Sequence, residues 1–349
     1  MFVISGPQMK ILKKNKNLLT IFCIALAVTL FLTTTGFRGP ELILGWLVLG
    51  IGFGLGKKSI GNKYIFAGLL FLLGSLYLAV PGSIWWGRGH WEMTLYHTVW
   101  MTPFLLLYLV NISSKVYYWL LPVILIHSIV SIVEYIISDS THRIMGLLDN
   151  PNPAGALLAI GTVLLLYSKL KWLIILPFIG VIFSGSRSAF LTLVIVLTAV
   201  LLVEVRRARI SIILPIIFVG VSLFLGFIVF GLSEPLSVRS SIDSNYNDLL
   251  NRWAFSNIPG LIPQGISMSW GLHSLYQRIA VELGILAAIV WVGITGYALY
   301  RRPWFNLSWW VLLSIVLLAI TEYSVWLGPL AAIWWLTIGL RVKETYDNN

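Results

Sequence analysis

The chain has 349 residues, of which 58% are hydrophobic and 11% charged, with a formal net charge of +11. That composition excludes a soluble globular domain of this length and points to an integral membrane protein. The single cysteine, Cys23, lies in the first apolar run, so an intramolecular disulfide is excluded and the redox compartment goes unmarked.

Lys10, Lys13, Lys14 and Lys16 precede the first apolar run, as in a secretory signal. No small-residue cleavage site follows and further spans come at once, so this run reads as the first transmembrane helix. Similar runs recur along the chain, and most are long enough to cross a hydrocarbon core of roughly 30 Å. In chain order the expected spans are 18–35, 41–56, 64–80, 95–111, 116–138, 154–168, 172–184, 187–205, 210–232, 278–300, 308–321 and 326–340. The expected fold is all-α and polytopic, with about twelve transmembrane helices in a single domain over residues 1–349.

Threading the chain with its N-terminus in the cytoplasm puts Lys10, Lys13, Lys14, Lys16, Lys57, Lys58, Lys63, Lys115, Lys169, Lys171 and Lys343 inside, with Arg206, Arg207, Arg209, Arg301, Arg302 and Arg341. Outside lie Arg38, Arg88, Arg143, Arg187, Arg239, Arg252 and Arg278. This asymmetry obeys the positive-inside rule and places both termini in the cytoplasm. The net charge is then chiefly a topogenic signal, and nucleic acid is not an expected partner.

Every lysine faces inward, and every outward basic residue is arginine. A guanidinium grips phosphate at two points, whereas an ammonium acts as a point charge. An external site for a phosphorylated ligand is one reading. In the other, these arginines snorkel, or pair with Glu134, Asp139, Asp149, Glu282 and Glu322. Three outward helix starts favour the anion site. Asn152 and Pro153 read as N-cap and first-turn proline of the sixth helix, Ser184-Gly185-Ser186 precedes Arg187 at the eighth, and His273 to Arg278 opens the tenth. Helix starts present N–H groups and partial positive charge to anions. The seventh span is only about 13 residues and rises about 20 Å. The SGSRS turn after it is therefore expected below the outer surface, or on a re-entrant piece, where non-helical backbone must be buried or line a cavity.

The long polar segment, about 233–277, joins the ninth and tenth spans. Pro259, Gly260, Pro263, Gly265 and Gly271 punctuate it just before His273, as in a shaped turn. An imidazole there titrates close to working pH and suits a general base, although a lone interfacial histidine also serves structure. Gln277 follows one turn later, and Arg278 and Glu282 stand at i, i+4 spacing. Among other histidines, His127 falls mid-helix and is expected to hydrogen-bond to a neighbouring helix; His97 lies near an outer helix start. Trp85, Trp86 and Trp91 read as interfacial anchors before sugar platforms. Gly50 to Ser59 approximates a phosphate loop, but Ile51 and Lys58 occupy motif positions and the stretch ends a span, so nucleotide binding is rejected. No His, Cys or carboxylate cluster has metal-ligand spacing, so no metal and no cofactor is expected.

The segments RIMGLLDNPNPAGALL (Arg143 to Leu158), SGSRSAF (Ser184 to Phe190), NRWAF (from Asn251) and GLHSLYQRIAVELGILA (to Ala287) together resemble the O-antigen ligase family of membrane glycosyltransferases. The resemblance covers about two-fifths of the chain, Arg143 to Ala287, and loosely the final two spans. It implies a multi-pass protein of the bacterial inner membrane working on the periplasmic or external face without nucleotide or metal. Such an enzyme moves a glycan from undecaprenyl diphosphate to an acceptor hydroxyl, with inversion at the anomeric carbon. By the same resemblance Arg143, Arg187, Arg252 and Arg278 bind the diphosphate and His273 is the catalytic base. Asn150, Asn152, Ser186, Gln277 and Glu282 support them. Two departures stand out: the family usually has His-Asn where this chain has His273-Ser274, and the external loop is short for the family. The acceptor remains open between lipid A–core, a growing polysaccharide on its carrier, and protein. A polyprenyl-linked glycan transporter is the rival class, although no internal repeat is evident.

Overall fold

The computed structural model describes residues 6–33, 40–85, 91–138, 143–148, 150–208, 215, 217–221, 275–320 and 330–343. They form an all-α assembly. In chain order the helices are α1 (Gly6–Thr33), α2 (Pro40–Leu55), α3 (Lys63–Trp85), α4 (Trp91–Met101), α5 (Phe104–Leu109), α6 (Val116–Ile137), α7 (Pro151–Leu166), α8 (Ile175–Phe183), α9 (Arg187–Ala208), α10 (Leu275–Glu282), α11 (Ile285–Tyr300), α12 (Leu307–Leu318) and α13 (Ala331–Lys343). A 3-10 turn, Lys171–Ile174, leads into α8, and strands β1 (Lys57–Lys58) and β2 (Val110–Asn111) pair antiparallel.

Among the described residues, Lys14–Thr33, Lys63–Ile84, Val116–Ile137 and Arg187–Arg206 are long and apolar enough to cross a membrane. Shorter apolar helices include Pro40–Leu55, Pro151–Leu166, Ile285–Tyr300 and Leu307–Leu318. The long helices are apolar all round, with exposed leucines and isoleucines on one side and buried ones on the other, as lipid-facing helices require. α7 and α13 are buried along nearly their whole length and form the centre. α7 packs against α6, α8, α9 and α12; α13 packs against α5, α11 and α12. Gly161 lets α7 close on α6, since a Cβ there would stand 2.3 Å from Ile124 Cγ2.

Two predicted spans are broken in the structure. The span expected over 95–111 divides at Thr102-Pro103 into α4 and α5, because proline lacks the N–H that would continue the ladder. The span expected over 278–300 divides at Leu283-Gly284, where Gly284 has φ 93 and starts α11 afresh. The span expected over 210–232 lies almost wholly outside the described residues. In the Gly50–Ser59 stretch, helix α2 comes first and strand β1 second. A phosphate loop runs from strand to helix, so the geometry agrees with rejecting it.

Contacts between helix ends gather the basic residues at one end of the bundle. Gly56, just after α2, lies against Thr20 of α1 and Val110 of β2. Tyr108 Oη donates to Ile60 O at 2.6 Å, Asn62 Nδ2 to Tyr297 Oη at 2.9 Å, and Tyr118 Oη to Tyr167 O at 3.2 Å. The ends that bear Lys57, Lys58, Lys63, Lys115, Arg301 and Arg302 are thus neighbours. α7 rises about 24 Å from Tyr167 to its start. Its first turn, and Arg143 beside it, therefore stand at the opposite end.

Arg341 and Lys343 do more there than carry charge. Arg341, fully buried, donates from Nε to Ala298 O (3.1 Å) and from Nη1 to Pro303 O (2.8 Å) and Asn306 Oδ1 (3.2 Å); Nη2 donates to Arg301 O. One guanidinium so satisfies carbonyls that α11 leaves unpaired at its C-terminus. Lys343 Nζ donates to Tyr108 O and to Val110 O at 3.2 Å, tying α13 to β2.

Candidate functional site: an arginine clamp between two helix starts

At the end of α6, Glu134 turns its carboxylate onto the returning chain rather than onto an arginine. Its oxygens accept from Met145 N (3.1 Å) and Gly146 N (2.6 Å). Two turns earlier, His127 is fully buried and its Nδ1 accepts from Leu147 N at 2.9 Å. At Nδ1 its partner is the loop before α7, while Ala154 of α7, a neighbouring helix as expected, also faces the ring. The loop fits because Gly146 has φ 61 and no side chain; a Cβ there would stand 2.5 Å from His127 Cε1 and from Ser131 Oγ. These contacts fix the backbone immediately after Arg143.

The start of α7 differs by two residues from the sequence expectation. Asn150, in extended conformation, is the N-cap: its side-chain oxygen accepts from Asn152 N at 2.9 Å, and Pro151 takes the first helical position. Asn152 and Pro153 follow inside the first turn. The cap needs an extended residue whose side chain reaches forward to the second helical N–H, and only Asn150 stands at that spacing. The shift has a chemical consequence. Pro151 and Pro153 have no N–H, the Asn152 N–H is held by Asn150, and Ala154 N donates to Asn150 O at 3.2 Å. α7 offers an anion its dipole but not its first-turn amides. The recognition falls to side chains.

Asn152, relieved of capping, accepts from Arg143 Nη2 at 2.5 Å, while Arg143 Nε donates to Ser184 O at 3.1 Å. Arg143 thus bridges the first turn of α7 and the turn between α8 and α9. The second motif is shaped to receive it. Gly185 has φ 62, and a Cβ there would stand 3.0 Å from Arg143 Nε and 3.1 Å from its Cγ. Ile144 N also donates to Phe183 O at 3.4 Å. From the other side, Gly155 of α7 admits the turn, since a Cβ there would meet Ser184 Oγ at 2.5 Å and Ser186 Cβ at 2.7 Å.

Ser186 is buried and acts in place, its Oγ accepting from Ala189 N at 3.4 Å in the first turn of α9. Half-buried Arg187 opens that helix. Arg143, Asn150, Asn152 and Ser186, drawn from two motifs some forty residues apart, therefore meet at one junction of α7, α8 and α9, and Arg187 is next to Ser186 in the chain. The Arg143 guanidinium lies beside the start of α7, and Arg187 opens α9, so the junction favours an anion. Tyr135 and Phe183 stack at 3.7 Å next to it.

Arg278 and Glu282 form a second arrangement on α10. Both are buried, and Arg278 Nε donates to Glu282 Oε1 at 2.9 Å, so here arginine and carboxylate do pair. His97 of α4 lies within the field of Arg278. Leu275 N donates to Ala319 O at 2.9 Å, bringing the start of α10 to the end of α12. Tyr276 donates to Val316 O at 3.2 Å, and burial pushes its phenol above the ordinary value, which keeps it a neutral donor. Gln277 belongs to α10 by its backbone. His273 and Arg252, with the rest of the external loop before Leu275, lie outside the described residues, as do Arg38, Arg88 and Arg239.

Sequence reading missed Glu134 and His127 as the loop's anchors. The available signal was Gly146 between Arg143 and Asn150, a residue suited to a tight turn. Among the described residues no group of three or more His, Cys, Asp or Glu side chains is arranged to hold a metal. None of the family models, curated proteins or solved structures compared with this chain matches it.

Proposed function

We propose that this protein is a glycosyltransferase of the O-antigen ligase type. It moves a glycan from undecaprenyl diphosphate to an acceptor hydroxyl at the external face of a bacterial inner membrane. About twelve spans with both termini in the cytoplasm accompany that reading. The observation that carries it is the Arg143 clamp, in which Asn152 and the Ser184 carbonyl hold the guanidinium at the turn that leads into α9. A guanidinium fixed at two points beside a helix start suits a diphosphate arriving with its lipid tail still in the bilayer. The short α8, nine residues after a 3-10 turn, supports a recessed position for this junction.

In the reaction the acceptor oxygen attacks the anomeric carbon from the face opposite the diphosphate. The bond from that carbon to the diphosphate oxygen breaks, and His273 takes the acceptor's proton. Arg143, Arg187 and Arg252 stabilise the charge growing on the departing diphosphate, the task that elsewhere falls to a metal ion. Arg278, expected among the diphosphate-binding arginines, is buried against Glu282 and is assigned no step. The acceptor is lipid A–core in the ligase form of this activity. Polymerisation on the carrier and transfer to protein are the other forms.

The test is reconstitution of the purified protein with an undecaprenyl-diphosphate glycan and candidate acceptors, with products resolved on a gel. A glycan on a new acceptor identifies a ligase, and a ladder on the carrier identifies a polymerase. An unaltered donor in the presence of every acceptor, with donor appearing across the vesicle membrane, would replace this reading with transport.

A further inference from the structure

At the lysine-bearing end a cavity of about 650 Å³ opens between the end of α2, the β1–β2 pair and the start of α3. That volume is within the range of small-ligand sites, roughly 300–1,000 Å³. Its polar side is Lys58, Ser59 and Gly61, and its apolar wall is Phe53, Phe66 and Leu109. We propose that it holds the phosphate headgroup of an anionic phospholipid, with an acyl chain running down the outer face of α3.

Charge argues for an anion. The Lys58 ammonium sits 5.1 Å above the Phe53 ring and 3.5 Å from Gly54 O, both neutral, and its chain neighbours Lys57 and Lys63 carry the same sign. Apolar surface argues for a lipid rather than a free ion. Phe66 continues one turn on to Leu70, which is 44% exposed, and Ile60 at the mouth is 51% exposed. Residues at i and i+4 lie one above the other on a helix, so the wall extends as a track along α3. The polar residues lie in the connection between α2 and α3, and Phe53 and Phe66 within a turn of those helix ends, an order that matches a headgroup followed by its acyl chain.

The site is held in shape before any ligand arrives. Lys58 pairs with Val110 across the two strands, and Ser59 N donates to Leu109 O at 2.9 Å. Gly61 N donates to Ser59 Oγ at 3.2 Å, and Tyr108 Oη holds the Ile60 carbonyl. A ligand therefore orders little on binding, which favours affinity. Such a lipid would join α2, α3 and β2 at the end remote from the arginine clamp, independently of any transferase activity.

Delipidated full-length protein in micelles provides the test. Its melting temperature is followed against added dioleoyl phosphatidylglycerol, dioleoyl phosphatidylcholine or inorganic phosphate. Phosphatidylglycerol should raise the melting temperature saturably, as expected for a ligand of the folded state, and phosphatidylcholine should raise it far less. Lys58→Gln should weaken the phosphatidylglycerol response about tenfold in concentration, the loss of one charge-assisted hydrogen bond. Lys115→Gln, at the same end but outside the cavity, should leave it unchanged. Leu109→Trp, which fills the cavity without removing charge, should abolish the response. Equal effects of the two lipids, or equal responses in Lys58→Gln and Lys115→Gln, would overturn the proposal. So would saturation by inorganic phosphate that displaces the lipid, which would mark a free-anion site.

Discussion

Replacing Gly185 by alanine tests whether the second motif exists to seat Arg143. Gly185 has φ 62, where a side chain costs about 1–2 kcal/mol. The new methyl would also stand 3.0 Å from Arg143 Nε and 3.1 Å from Cγ, closer than ordinary van der Waals contact. Arg143 is exposed, so it can swing outward, giving up its bonds to Ser184 O and Asn152 Oδ1. Hydrogen bonds from a charged donor contribute about 1.5–3 kcal/mol each, so the site loses more than the fold does. In micelles the melting temperature should fall by roughly 2–6 °C. Glycan transfer should fall at least about tenfold, the equivalent of 1.4 kcal/mol in the barrier. Gly74→Ala is the matched control. It lies inside α3 with nothing within 4 Å of an added methyl, and helical alanine is favoured over glycine by about 0.5–1 kcal/mol. Gly185→Ala with wild-type transfer would refute the clamp. A loss of transfer that only tracked melting would refute it as well.

Glu134→Gln keeps one carbonyl oxygen for the Met145 and Gly146 amides but loses the second oxygen and the charge. The apparent KM for the donor should rise several-fold while kcat changes little, and Glu134→Ala should lose both; unchanged KM in both variants would remove Glu134 from the account. Arg341→Met orphans carbonyls of Ala298, Arg301 and Pro303 at about 1–3 kcal/mol each, so it should yield little monodisperse protein, with Arg341→Lys recovering part. A stable Arg341→Met protein would contradict that role. His273→Ala should abolish transfer while leaving the yield of folded protein unchanged; retained transfer would point to a different proton acceptor.

Much of this arrangement was legible in the sequence, because membrane helices announce themselves by length and apolarity. The meeting of Arg143 with the SGSR turn was not legible, because motif order and a shared side of the membrane do not bring two loops together; the bond from Arg143 Nε to Ser184 O does. The cap at Asn150 was not legible either, because Asn-Pro occurs twice in succession and either asparagine satisfies the local rule. Only the extended backbone at Asn150 decides between them. The break at Leu283-Gly284 hides in a continuous apolar run, where a single glycine is tolerated in a helix. The break at Thr102-Pro103 carried a plainer signal, an X-Pro step inside a predicted span. Arg341 was counted as a loop charge, since hydropathy cannot tell which helix end lacks donors for its carbonyls. Arg278 and Glu282 show the converse: i, i+4 spacing on a helix foretold their contact, and burial makes that contact a structural pair.

The central claim is that the α7–α9 junction binds the donor's diphosphate for transfer. Its most direct test is the affinity of wild-type protein and Arg143→Gln for undecaprenyl diphosphate itself, measured beside glycan transfer in the same vesicles. The account predicts wild-type transfer, with donor binding at least about tenfold weaker and transfer lost in Arg143→Gln. Equal binding and equal transfer by the two proteins would contradict it, as would a wild-type protein that binds the carrier and transfers nothing.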